Sequence, residues 1–290
     1  MAALAEHIVG PVRGIAHRTP GRGNGPAVRL MSPSDLGQIL KPFVFLDFFD
    51  MQGPPFTGAL HPHSGIATLS YLIEGRMDLI DPSGDTVVLP AGGVEWMQAG
   101  RGMWHGGSVG DARQGRVRGF QLWIALPPEL ELGPTHAVFQ SVEDIAHSGP
   151  ARVLLGSHGD ARSAIEAPSP MNVLAVTLAA GQRWTYTPPP GHTVLWVSPA
   201  EGDVLANGHR LHARELTAFE SSDDAVEFRA IEHTQFMLGS AVPHDHDLAI
   251  GYYSVHTSPT ALLDGEAYIR ALGRQLAAEG RLPASVAQGN

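Results

Sequence analysis

The chain has 290 residues and a formal net charge of −10, and it contains no cysteine. Without cysteine it can form neither disulfides nor thiolate metal sites, and it has no cysteine nucleophile. The acidic balance, with Lys41 as the single lysine, argues against direct nucleic-acid binding. We expect a cytoplasmic protein without membrane contact, because no apolar run approaches ~20 residues and no basic signal-peptide start is visible.

Short strands are predicted along the first half of the chain. The 34 Gly and 23 Pro residues favour many turns over long helices. Turn sequences such as Glu74-Gly75 close successive apolar and β-branched runs. The predicted strands lie at 43–46, 68–73, 77–80, 86–89, 94–97 and 120–126. This spacing favours a β-sandwich or β-barrel over alternating strand–helix units.

A second series of strands is predicted in the other half of the chain. The predicted strands lie at 173–178, 193–197, 204–206, 215–219, 226–230 and 235–238. The turn Glu74-Gly75 recurs as Glu201-Gly202, 127 residues later, and in both places a further glycine and a strand follow. The recurrence indicates either two copies of one β-barrel or a chance repetition of a common turn.

One long helix is predicted over residues 260–280. Leu263, Ala267, Ala271 and Leu276 recur at spacings that place them near one helix face. Thr260 is the predicted N-cap, and the helix is expected to end at 280. We expect this helix to pack across a domain through that apolar face.

Two histidines separated by one residue form the strongest local signal. His61 and His63 flank Pro62, and residues two apart on a strand point to the same face. A third histidine from a neighbouring strand, His105, can close a metal site that faces into a barrel. Neutral imidazoles bind several first-row metals. The alternative is a pair of surface histidines in a turn, which Pro62 would suit.

Other histidines carry a weaker signal. His244 and His246 repeat the one-residue spacing and alternate with aspartates, but they follow a proline. We expect a polar turn or interface loop there rather than a metal site. His209 and His212 lack that spacing, so the second barrel is predicted to be metal-free.

Four stretches together resemble the pirin family of the cupin superfamily. They are PFVFLDFFD at 42–50, HPHSGIATLSYLIEG at 61–75, VEWMQAGRGMWH at 94–105 and GFQLWIALP at 119–127. The resemblance implies an all-β bicupin, two cupin β-barrels with a C-terminal helix. It predicts an N-terminal barrel over 1–135 that carries the metal, and a degenerate barrel plus the helix over 136–290. The implied cofactor is a divalent metal, first Fe(II), with other first-row metals as alternatives.

The implied ligand set is only partly present. The three family histidines correspond to His61, His63 and His105. The family glutamate two residues after the last histidine is replaced by Gly107, and a second glutamate is replaced by Ala67. A site of three neutral imidazoles leaves the charge of a divalent metal uncompensated and leaves at least one coordination position open.

Several side chains are candidates for the walls of a substrate pocket. Gln121, Phe45, Met97 and Trp123 lie on predicted strands around the histidines. An amide can hydrogen-bond a ligand and the apolar groups suit an aromatic one, whereas core packing is the alternative role for each. Glu95 is a further acidic candidate whose direction the strand pattern leaves open.

The resemblance implies a quercetin 2,3-dioxygenase-type oxygenase that acts on a small aromatic, flavonol-like substrate. The loss of the family glutamate at Gly107 supports an alternative, a non-catalytic regulatory cupin that binds a protein partner with or without metal. A metal-free barrel that binds a small molecule is a third hypothesis. No catalytic residue is assigned from the sequence, and we expect a monomer because two barrels already pack within one chain.

Overall fold

The computed structural model describes residues 12–24, 27–52, 56–80, 84–109 and 116–282. Strands dominate both halves of the chain. In the first half they are β1 Ile15–Thr19, β2 Arg22–Asn24, β3 Ala27–Met31, β4 Phe43–Gln52, β5 Phe56–His63, β6 Ile66–Glu74, β7 Arg76–Ile80, β8 Thr86–Pro90, β9 Val94–Gln98, β10 Met103–Val109, β11 Arg116–Ala125 and β12 His136–Gln140. A single 3-10 turn spans Leu36–Gln38 within these described residues.

The second half continues with shorter strands and ends in a helix, α1, over Pro259–Ala278. Its strands are β13 His147–Ser148, β14 Ala151–Leu155, β15 Ser157–His158, β16 Ala161–Arg162, β17 Met171–Leu178, β18 Arg183–Tyr186, β19 Val194–Glu201, β20 Val204–Ala206, β21 His209–Leu211, β22 Leu216–Phe219, β23 Val226–Ala230, β24 Thr234–Ala241, β25 Ala249–Ile250 and β26 Val255–His256. Among the described residues, no helix has the length and apolar character that a membrane crossing requires.

Each half forms a barrel from one large and one small antiparallel sheet. In the first barrel the large sheet has the order β12-β9-β6-β11-β4-β3-β2 and the small sheet β5-β10-β7-β8. In the second barrel the corresponding orders are β1-β22-β19-β24-β17-β14-β13 and β18-β23-β20-β21. The two topologies match strand for strand. The prediction of two all-β barrels with a C-terminal helix is therefore confirmed, and the Glu-Gly repeat marks corresponding strand ends in β6 and β19.

The two barrels exchange their edge strands. β1, near the start of the chain, pairs with β22 of the second barrel. β12, which follows the first barrel in sequence, pairs with β9 of that barrel. The division at residue 135 stays a prediction. β1 precedes the other strands of the first barrel in the sequence but completes the second barrel, and β12 precedes the other strands of the second barrel but completes the first.

The main hydrophobic core lies between the two large sheets. Phe48 and Trp96 from the first barrel belong to the same buried cluster as Trp196 and Met237 from the second. Phe43 meets Trp196 edge-on with ring centroids 5.6 Å apart. Burial of apolar surface stabilises by roughly 25 cal/mol per Å², so this shared core holds the barrels face to face. The opposite face of each large sheet points into its own barrel.

The N-cap of helix α1 lies two residues earlier than predicted, and the helix buries a different face. Ser258 is the N-cap, and its hydroxyl accepts a hydrogen bond from the Ala261 amide at 3.2 Å. The predicted apolar face is wrong, since Leu263 is 66% exposed. The buried positions are the smaller residues Ala261 and Gly265, followed by Ile269 and Gly273. Glycine is required at two of these positions, because a Cβ atom built on Gly265 would lie 2.1 Å from Ser64 Oγ and one built on Gly273 would lie 2.7 Å from the Trp104 ring.

Candidate metal centre

Two neighbouring strands of the small sheet bring three histidines together. His61 and His63 lie at alternate positions of β5 and therefore share a face. His105 on β10 is the cross-strand partner of His61. One ligand nitrogen of each histidine lies within 4.8 Å of the others, and this is a group that can hold a metal ion. The one-residue spacing in the sequence thus becomes a three-sided cluster that points into the barrel.

Hydrogen bonding and burial prepare these imidazoles as ligands. His63 Nδ1 lies 3.1 Å from the Tyr253 carbonyl oxygen, to which it donates, so the lone pair of Nε2 faces the cluster. The Nε2 atoms of His63 and His105 are buried and have no hydrogen-bond partner among the described residues. Burial and then the neighbouring His61 lower the pKa of His63 to about 3. Burial lowers the pKa of His105 well below its ordinary value.

Neutral, buried nitrogens without partners fit a first-row divalent metal. In a purely structural core such nitrogens would lower the stability of the fold, because buried polar atoms are normally hydrogen-bonded. Three nitrogen donors leave coordination positions for water or substrate, as in catalytic rather than closed structural sites.

A cavity of about 180 Å³ lies against this cluster. His61 and His105 line one side, and Gly106 and Gly107 follow on the same strand. The residues that complete the lining are Ser70, Met77, Leu79, Glu95 and Gln121. This volume is below the roughly 300 Å³ of a pocket that buries a whole drug-sized ligand, so the cavity can take one end of a larger molecule.

A row of polar side chains crosses the large sheet on the far wall of this barrel. Asp47 on β4 pairs with Gln121 on β11, Gln121 with Ser70 on β6, and Ser70 with Glu95 on β9. Residues opposite one another in a sheet share a face. Asp47 is paired with Arg29, whose Nε and Nη2 both donate to its carboxylate. Gln121, Ser70 and Glu95 are the members of this row that line the cavity.

Glu95 is the functional candidate whose direction the sequence did not settle. Val94 and Trp96 on either side pack into the core between the barrels, so Glu95 points inward. The Ser70 hydroxyl donates to Glu95 Oε2 at 2.8 Å, while Oε1 is buried without a partner among the described residues. Burial raises the pKa of Glu95 to about 7, against the smaller opposing effect of the Ser70 hydrogen bond. In the sequence Val-Glu-Trp-Met, either face of the strand could be the one that points into the barrel. The direction of Glu95 therefore follows only from the packing of the two barrels.

The position of the missing family glutamate is closed to any side chain. A Cβ atom built on Gly107 would lie 2.4 Å from the Asp78 carbonyl oxygen and 2.9 Å from the Leu79 Cα atom. β10 and β7 pair here, with Gly107 opposite Leu79. Ala67, the second replaced position, belongs to the core between the barrels. Neither position offers a carboxylate to the cavity.

The aromatic candidates form a wall behind the histidines. Phe45 and Trp123 stack with ring centroids 4.1 Å apart, and Trp123 lies 4.8 Å from the ring of His63. Met97 is buried in a small cluster with Ala99 and Met103. Of the four pocket candidates, Gln121 lines the cavity. Phe45, Trp123 and Met97 lie in the neighbouring cross-strand row of the same sheet and are buried in the core.

A buried hydrogen-bond network ties the end of β5 to the chain before α1. Ser64 Oγ donates to the Arg101 carbonyl at 2.6 Å and lies 2.9 Å from His256 Nε2. His256 Nδ1 lies 3.1 Å from Glu131 Oε2, which also accepts from the Thr257 amide. These groups resemble a serine–histidine–acid arrangement, but they are at most 3% exposed. The network therefore fixes the chain before α1 to the end of β5.

The second histidine pair lies away from this centre. His244 and His246 stand in a loop with ring centroids 5.3 Å apart. Lys41 Nζ donates to the His246 carbonyl at 2.6 Å, so the loop is attached to the segment before β4. Among the described residues, the groups that can hold a metal include His61, His63 and His105 but not this pair.

Comparisons with known proteins agree with this architecture. The family model described as Pirin matches residues 26–124. A pirin-like protein from Caulobacter vibrioides is 38% identical over 139 residues, covering 45% of this chain and 50% of its relative, so the match spans half of that relative's length. A quercetin 2,3-dioxygenase structure from Acinetobacter baumannii has a TM-score of 0.81 at 25% identity, covering 88% of this chain and 96% of the other.

A more distant structure shows the same fold. A bacterial pirin from Escherichia coli, in complex with nickel(II), has a TM-score of 0.63 at 20% identity, covering 80% of this chain and 96% of the other. Matched barrels, exchanged edge strands and a histidine cluster in the first barrel define a protein of the bicupin class. Within that class residues 26–124 match the Pirin family model, so the resemblance to pirins that the four sequence stretches predicted is confirmed.

Proposed function

We propose that the first barrel is a metal-dependent oxygenase centre of the quercetin 2,3-dioxygenase type. His61, His63 and His105 would hold a divalent metal, with Fe(II) as the first expectation. The observation that carries the proposal is the convergence of three histidine nitrogens, within 4.8 Å of one another, beside a cavity that His61 and His105 line. The similarity to a quercetin 2,3-dioxygenase structure over 88% of the chain supports the choice of reaction.

The chain's own residues would bind and orient the reacting end of the substrate. A bound metal supplies Lewis acidity and a position for the hydroxyl and carbonyl oxygens of a flavonol. The cavity of about 180 Å³ would take that chelating end, and the rest of the molecule would extend outward. Gln121 can hydrogen-bond an oxygen of the substrate, and the stacked Phe45 and Trp123 would exclude water from behind the histidines.

The second candidate function is a metal-binding regulatory cupin that contacts a protein partner. Gly107 favours it, because the ligand set lacks the anion that would reduce the charge of the metal and no side chain fits at that position. In this case metal binding would persist while flavonol turnover would be absent.

Metal content and oxygen uptake separate these functions. Protein purified without a histidine tag would be stripped of metal, reloaded with Fe(II) and assayed for oxygen consumption with quercetin. We expect about one metal per chain and quercetin-dependent uptake, both lost in His61→Ala and both kept in His209→Ala, a control on the second barrel. Metal without uptake supports the regulatory function, and no metal after reloading overturns both.

A further inference from the structure

We propose that Glu95 is the catalytic residue that accepts the proton of the substrate's acidic hydroxyl. This inference rests on the proposed function and deepens it, because it assigns a residue to a step that the three histidines cannot perform. An enolic hydroxyl becomes electron-rich enough to react with dioxygen once it has lost its proton. A proton acceptor in the site that is not itself a metal ligand would promote this step.

Position is the first argument for Glu95. It lines the same cavity as His61 and His105 but belongs to the large sheet, across the barrel from the strands that carry the histidines. Its carboxylate is outside the group of ligand atoms that lie within 4.8 Å of one another. A substrate held at the histidine cluster would therefore lie between the metal and this carboxylate.

The hydrogen bonding of Glu95 is the second argument. Ser70 fixes Oε2 at 2.8 Å and leaves Oε1 buried and unpartnered among the described residues. A carboxylate held by one oxygen and free at the other can receive a proton in a defined direction. The side chain is only 1% exposed, so bulk solvent does not reach that oxygen.

Elimination of the other cavity groups is the third argument. The titratable side chains that line the cavity within the described chain are His61, His105 and Glu95. The histidines would be occupied by the metal. Asp47, in the same row, is neutralised by a two-point pairing with Arg29. At Gly107 a Cβ atom would meet the Asp78 carbonyl at 2.4 Å, so the far wall supplies the carboxylate instead.

The proton transfer balances without another reactant. The O–H bond of the flavonol breaks, its electron pair stays on the substrate oxygen, and a new bond forms between the proton and Glu95 Oε1. The negative charge passes from the carboxylate to the substrate, whose anion then faces the metal position. Nothing is oxidised or reduced in this step.

The absorption spectrum of bound quercetin reports this step directly, without turnover. Anaerobic protein loaded with Zn(II), which has no redox chemistry, would be titrated with quercetin near neutral pH. We expect wild type to bind it as the flavonolate, with its red-shifted band. Glu95→Gln should bind it with its neutral spectrum and turn over about 100-fold or more slowly once loaded with Fe(II). Glu95→Asp should recover part of the flavonolate band.

Glu143→Gln is the matched control, because Glu143 is an exposed glutamate in a loop outside the cavity, and it should behave as wild type. Equal zinc content and equal thermal midpoints show that Glu95→Gln keeps the fold. If Glu95→Gln binds quercetin as the flavonolate as fully as wild type does, the inference is overturned while the proposed function stands. If wild-type protein binds no quercetin, the proposed function fails and this role of Glu95 fails with it.

Discussion

The two barrels share one topology but differ in what their large sheets present to the interior. Asp47, Gln121, Ser70 and Glu95 cross the first sheet as a polar row. The corresponding row of the second sheet is apolar apart from one threonine and consists of Leu174, Leu238, Val197 and Thr217. Ser70 and Val197 are 127 residues apart, the same offset as the Glu-Gly repeat.

The small sheets differ in the same way. His61 pairs with His105 across β5 and β10, whereas Trp184 pairs with Phe228 across β18 and β23, with ring centroids 5.7 Å apart. The positions of the second barrel that correspond to the histidine pair are therefore aromatic. A buried carboxyl and partnerless imidazole nitrogens lower stability, so their concentration in one barrel indicates where the chemistry lies.

The largest expected effect comes from placing the same polar group at corresponding positions of the two rows. Val197→Gln puts an amide into the filled second barrel, where Val197 is fully buried, and we expect a loss of about 3–5 kcal/mol from overpacking and unmet hydrogen bonds. Ser70→Gln lies beside the cavity and replaces the hydroxyl donor to Glu95 by an amide donor, so it should cost less, about 1–2 kcal/mol. Urea unfolding measures both, and equal losses would show that the two interiors do not differ in this way.

The pH dependence of stability sharpens the role of the buried carboxyl in the metal-free protein. Burial raises the pKa of Glu95 from 4.5 to about 7. Between these values the folded chain holds a proton that the unfolded chain releases, so the free energy of unfolding falls as pH rises. At ~1.4 kcal/mol per pKa unit, Glu95→Gln should gain about 3 kcal/mol relative to wild type between pH 4 and pH 8. A difference that does not vary with pH would contradict a buried ionisable Glu95.

Gly107→Glu tests whether the carboxylate could simply return to β10. The Cβ contact of 2.4 Å with the Asp78 carbonyl predicts a loss of about 1–3 kcal/mol and no gain in metal affinity. Thermal unfolding and zinc titration measure the two quantities. Tighter metal binding with unchanged stability would mean that β7 moves aside. It would contradict the conclusion that no side chain fits at Gly107.

The smallest expected effect concerns Thr217, which occupies the position that Glu95 holds in the first barrel. Its hydroxyl is buried without a partner among the described residues. Thr217→Val keeps the shape and removes the unsatisfied group, so we expect a stability gain of about 0.5–1 kcal/mol. A clear loss in chemical denaturation would show that the hydroxyl has an energetic role and that the second interior is less purely apolar.

Local signals in the sequence predicted much of this molecule. Turn residues located the strands, the 127-residue offset located the repeat, and the spacing of His61 and His63 predicted a shared face. Features that depend on contacts between distant parts of the chain could not be predicted from the sequence. The exchange of β1 and β12 depends on pairing between distant segments, the buried face of α1 depends on how closely the barrel approaches Gly265, and the direction of Glu95 depends on which side of β9 the second barrel covers.

An anomalous difference map of crystals soaked in zinc would test most directly the claim that only the first barrel is a metal site. We predict one strong peak between the imidazoles of His61, His63 and His105, and no peak inside the second barrel. A peak elsewhere, at His244 and His246 for example, or no peak at the three histidines, would contradict the account.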